Sequence, residues 1–177
     1  MTSQTTSQFA RPRIDVRALL GLYDPADTTD WGPIRAAQMN AGSQLALFML
    51  AANVVGAALV TLIFAASFPV WKLASWGALV AAVGVTVGFR RLAGRHRTGR
   101  AASLKDVRET ALDGISLGAV WSIAPLFFGP SANAEQAAAL WIILSILMAA
   151  SAVAMAALPL ATIAFLAVLG GSAAVSL

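Results

Sequence analysis

Apolar residues in this chain gather in long unbroken blocks, with polar residues confined to the gaps between them. Five blocks stand out: 43–66 (SQLALFMLAANVVGAALVTLIFAA), 69–89 (PVWKLASWGALVAAVGVTVGF), 111–129 (ALDGISLGAVWSIAPLFFG), 137–158, and 160–177. A helix needs about 20 apolar residues to cross a bilayer. Each block approaches or exceeds that length. A lipid-exposed span must satisfy its own backbone hydrogen bonds, so helices are the default. A transmembrane barrel would show alternating segments of about ten residues instead. The pattern therefore predicts an all-α, polytopic membrane helix bundle with five visible spans.

The polar gaps supply the remaining organisation. Residues 1–32 form an N-terminal arm whose Ser/Thr/Gln-rich start reads as disordered. Within it RIDVRALLGLY, 13–23, has the makings of a short cationic surface helix. DPADTTD, 24–30, reads as a turn, and Thr29 or Asp30 is placed to cap a helix with Pro33 in its first turn. The membrane domain is then 33–177. Pro159 separates the fourth span from the fifth. No apolar stretch near the start suggests a cleavable signal peptide.

Composition agrees with the pattern. Of 177 residues, 59% are hydrophobic and 11% charged, against about 25% charged in a soluble domain. Mean hydropathy is +0.77. The chain has no cysteine, which excludes disulfides, thiolate metal sites and a Cys nucleophile.

Net charge of +4 raises the question of nucleic-acid binding. The dense charge lies in GFRRLAGRHRTGR, with Arg90, Arg91, Arg95, Arg97 and Arg100 between spans two and three. No aromatic residue is interleaved there, so the stacking that single-stranded nucleic acid requires is missing. Basic residues beside span ends are instead retained in the cytoplasm. With that loop inside, the N-terminus is cytoplasmic too, and eleven of the twelve basic residues fall inside. Lys72 alone lies outside, beside Trp71, where a snorkelling lysine and an interfacial tryptophan are both expected. The same arginines sit where anionic lipid headgroups would meet them.

Candidate chemistry is sparse. His96, the single histidine, sits among the arginines and reads as a loop residue. No metalloprotease, phosphate-loop or nucleophile-elbow motif occurs. No catalytic, cofactor or metal site is predicted. Polar residues inside spans are costly and so carry more meaning. Asn53, mid-span, suits a hydrogen bond between helices or a ligand contact. Asp113 lies one turn inside span three, where it is expected to pair with Arg108 or water. Gly84 with Gly88, and Gly114 with Gly118, form two GxxxG pairs suited to close helix packing or a homodimer face. Trp121 stands one turn before Pro125, which should free a carbonyl and bend the helix.

Several of these features together resemble a known family. They are Arg35 and Gln38 before span one, Asn53 within it, the Trp121-to-Pro125 spacing, LFFGP with its short polar loop, and the small-residue fourth span ending at a proline. The six-span N-terminal sensor regions of bacterial signalling proteins that end in GGDEF and EAL domains look similar, as do regions preceding histidine kinases. The resemblance implies an anchoring and sensory module of a cyclic di-GMP cyclase or phosphodiesterase, multi-pass in the bacterial inner membrane and homodimeric. It also implies a sixth span and a C-terminal catalytic domain beyond Leu177; no GGDEF or EAL motif is present here. The residues alone leave another reading open: an accessory or structural subunit of a larger membrane complex.

Overall fold

The computed structural model describes Ala37 and residues 45–95, 104–154 and 159–175. The N-terminal arm, His96, Arg97 and Arg100 lie outside the described residues. Five helices follow in order: α1 Ala46–Phe64, α2 Val70–Arg95, α3 Leu104–Ile123, α4 Ala134–Ala154 and α5 Pro159–Val175. A π-helical turn at Ala124–Phe128 and a 3₁₀ turn at Gly129–Ser131 extend α3. No strand occurs among the described residues.

Among the described residues, four helices are long and apolar enough to cross a membrane. This corrects the expected count of five spans. The fifth block folds as a helix, α5, with 17 described residues and its start fixed by Pro159. Pro159 occupies the first helical position, where a missing N–H costs nothing.

The polar gap between spans two and three is also shorter than the hydropathy pattern implies. Helix α2 continues six residues past 89, through Arg90, Arg91 and Arg95. Helix α3 starts seven residues before 111. Both extensions consist largely of Arg, Leu, Ala, Lys and Glu, which favour helix whatever their polarity. Lys105 and Glu109 pair at i,i+4 (3.9 Å), and Asp106 in the first turn complements the helix dipole.

Helix α4 begins at a reciprocal cap. Asn133 Oδ1 accepts the Gln136 N–H at 2.8 Å, and Gln136 Oε1 accepts the Asn133 N–H at 3.2 Å. The Gln136 amide group then donates to Ile63 O (3.0 Å) and Ser67 Oγ (2.8 Å). One side chain thereby ties the start of α4 to the end of α1.

Packing places α3 at the centre. It lies against α2 on one side and α5 on the other, while α1 packs on α2 and α4. Of its span, 56% is buried, against 28–33% for α1, α2 and α4. The other helices bury narrow stripes: Met49, Asn53, Gly56, Val60 and Phe64 on α1; Leu140, Leu144, Leu147, Ser151 and Ala154 on α4. The three-and-four spacing is that of helices packed nearly parallel. Their outer faces remain apolar, with Leu62, Val70, Ile146 and Val153 each at least 64% exposed. Water would not tolerate so continuous an apolar surface; lipid does.

Candidate functional site

The interior is organised around two indole rings and one carboxamide. Asn53, in the buried stripe of α1, donates its Nδ2–H to Met49 O at 2.7 Å. Its Oδ1 accepts the Nε1–H of Trp121 on α3 at 2.6 Å. Trp121 is fully buried, and its ring abuts α1 at Gly56, where an added Cβ would lie 3.0 Å from ring atom Cη2. Any larger residue at 56 would push the ring away from Asn53.

Trp76 of α2 meets Trp121 edge to face, with centroids 5.4 Å apart. Its own Nε1–H donates to Val120 O at 3.1 Å. The carbonyl that Pro125 leaves without an i→i+4 donor is that of Trp121, one turn earlier. From Ala124 the chain follows an i→i+5 register, shown by the Gly129 N–H donating to Ala124 O. The expected bend at Pro125 is thus realised as a π-helical turn.

Beyond the turn, Phe128 joins Phe64 and Phe68 in a ring cluster with centroids 5.1–5.9 Å apart, and Trp76 adds an edge-to-face contact at 5.6 Å. Three helices, α1, α2 and α3, are therefore locked by two hydrogen bonds and a continuous aromatic stack.

A narrow cleft opens on the arginine side of this node. Its walls include Met49 and Asn53 of α1, Gly84, Gly88 and Arg91 of α2, and Asp113 of α3. It holds about 20 Å³, room for about one water molecule. At its edge Arg90 pairs with Asp113 at 3.1 Å. The carboxylate is buried and the Arg90 side chain is 64% exposed. Asp113 thus pairs with Arg90 rather than with the expected Arg108. Extension of α2 past residue 89 is what brings Arg90 alongside α3.

The four glycines are placed within one chain. An added Cβ at Gly114 would lie 2.6 Å from Ala161 O, and one at Gly118 would lie 3.1 Å from Phe165 O, so both let α5 approach α3. Ser122 Oγ–H, donating to Gly118 O at 2.8 Å, also lies 3.4 Å from Val168 O on α5. Gly84 faces Leu50 and Asn53 of α1, while Gly88 opens onto the cleft with no atom within 4 Å of an added Cβ. Lys72 lies 5.6 Å from the Trp71 ring centroid, and Trp71 is 68% exposed.

Sequence reasoning missed Trp76, Gly56 and Gln136. One signal pointed to Trp76: a tryptophan N–H in a dry interior needs an acceptor. Among the described residues no group of three His, Cys, Asp or Glu side chains converges. No family model, curated protein or solved structure matches the chain.

Proposed function

We propose that this chain is the membrane-anchoring and sensory module of a bacterial signalling protein of the inner membrane, with the arginine-rich connection facing the cytoplasm. The Asn53–Trp121–Trp76 node carries this reading. It is a buried polar and aromatic contact among three spans, directly preceding a π-helical turn. Such turns are frequent at functional positions and mark places where a helix has a second register nearby. Moving α3 by one residue past the node would exchange one set of hydrogen bonds for another, which is the kind of two-packing element a sensor needs. Resemblance to the sensor regions of GGDEF and EAL proteins supports the same reading and names the output as cyclic di-GMP synthesis or breakdown in an attached domain.

The test is the size of the native gene product. An antibody against residues 1–40, used on a blot of native membranes, should detect a band well above 18.2 kDa. Sequencing past codon 177 should then reveal a catalytic domain. A band at the size of this chain contradicts the reading and leaves a small membrane subunit whose partners must be sought.

A further inference from the structure

We infer that the cleft between α1, α2 and α3 holds one ordered water molecule that bridges the Asn53 carboxamide to the Asp113 carboxylate. The bridge completes a hydrogen-bonded chain from the buried Trp121 indole to the exposed Arg90. This site follows from the helix packing alone; a part for the chain in signalling rests on the function proposed above.

Three observations carry it. First, a polar group in the wall has an unmet need. A carboxamide nitrogen carries two N–H donors. Asn53 is 2% exposed, and its Nδ2 donates to Met49 O, the one acceptor it has among the described residues. Its second N–H stands in the core, where polar groups are rarely left unpaired. Secondly, an acceptor lines the same cleft. Asp113 Oδ1 takes the Arg90 guanidinium at 3.1 Å, and a carboxylate has room for about four hydrogen bonds. Thirdly, the space is made by missing side chains and has the right size. Gly84 and Gly88 line the α2 wall, and a Cβ at Gly88 would meet no atom within 4 Å. The volume of about 20 Å³ is enough for one water molecule.

Both polar side chains are already held in place. Met49 and Trp121 fix Asn53, and Arg90 fixes Asp113. Water joins them without moving either, because it accepts from the Asn53 N–H and donates to the carboxylate. Leu50, Val87 and Leu117 supply apolar walls that confine it. A water held in this way is part of the fold. Through it, a shift of Trp121 at the node reaches the Asp113–Arg90 pair.

The experiment uses the full chain labelled with nitrogen-15 asparagine and carbon-13 aspartate, reconstituted in lipid bilayers and observed by solid-state NMR. Magnetisation transferred from water to the labelled side chains is the readout. Asparagine occurs at positions 40, 53 and 133, and the Asn53 signal is identified by its loss in Asn53→Leu. Expected is transfer to Asn53 from a water that resides longer than the water at exposed Asn133. Gly88→Val fills the cleft and leaves every polar group in place. It should abolish transfer to Asn53, reduce transfer to Asp113 and leave Asn133 unchanged. Gly171→Ala, on an exposed position of α5, should alter none of the three. Tryptophan emission from buried Trp76 and Trp121 identifies a variant that has lost its fold, and Gly88→Ala then replaces Gly88→Val. Absence of transfer to Asn53 overturns the bridge, as does transfer that filling the cleft leaves unchanged. Loss at Asn53 with Asp113 unaffected also overturns it, since the water would then serve the carboxamide alone. None of these outcomes depends on the size of the native gene product, so failure of the water site is distinguishable from failure of the sensory reading.

Discussion

Asn53 uses both ends of its side chain, one on its own helix at Met49 and one on α3 at Trp121. Replacing it with leucine strands the Trp121 N–H in a dry core, and that costs about 1–3 kcal/mol. Thermal denaturation in detergent should show the loss for Asn53→Leu. Trp121→Phe removes the donor and leaves the Asn53 oxygen unmatched, so it should also destabilise. The double variant should lose less than the sum. Couplings of hydrogen bonds within membranes average about 0.6 kcal/mol and reach about 1.7 kcal/mol. Additive losses would mean that the two side chains do not interact. Asn53 and Trp121 were both visible in the sequence as a polar residue inside a span and an indole beside a proline. Their pairing was not, because 68 residues separate them and hydropathy carries no information about which faces meet. Asp113 shows the same limit. Its charge marked it, but its partner depended on how far α2 ran past the apolar block.

At the scale of the element, α3 and α5 form the closest helix pair. Backbone approaches backbone at Gly114, with Ala161 O 2.6 Å from a would-be Cβ, and nearly as closely at Gly118. Neither neighbour is a flexible side chain, so an alanine at 114 forces the helices apart. Overpacking of this kind costs about 1–3 kcal/mol. Gly114→Ala should lower the melting temperature more than Gly118→Ala. Gly171, exposed and with no neighbour within 4 Å, supplies the control. Gly171→Ala should be neutral or stabilising by up to about 1 kcal/mol, since alanine is the better helix former. If all three substitutions behave alike, α5 does not pack on α3 as described. The GxxxG spacing made Gly114 and Gly118 conspicuous in the sequence. What lay opposite them was open, because spacing serves a second copy of the chain as well as a helix of the same one. Helix ends were less legible. Hydropathy registers where lipid stops, while α2 and α3 continue as polar helices into water. The Asn133–Gln136 cap marks the start of α4 in side-chain chemistry that an apolar count passes over.

For the whole molecule, the all-helical bundle was legible from the block pattern and the low charge. The count of crossings was less so. A fifth apolar block of 17 helical residues reads as a span by composition, yet among the described residues four helices have the length and apolarity to cross without adjustment. Burial settles the arrangement that hydropathy leaves open, with α3 enclosed by α1, α2 and α5 and large apolar side chains facing outward elsewhere. The central claim is that this bundle lies in a membrane with the α1–α2 and α3–α4 turns on one side and the α2–α3 connection on the other. The chain contains no cysteine, so single cysteines can be introduced without background. Ser67→Cys in the first turn, Ser131→Cys in the second and Lys105→Cys at the start of α3 should be made in the full chain and exposed to a membrane-impermeant maleimide. In intact spheroplasts, Ser67→Cys and Ser131→Cys should label and Lys105→Cys should not, until the membrane is permeabilised. Labelling of Lys105→Cys in intact spheroplasts, or protection of one turn but not the other, would contradict the account.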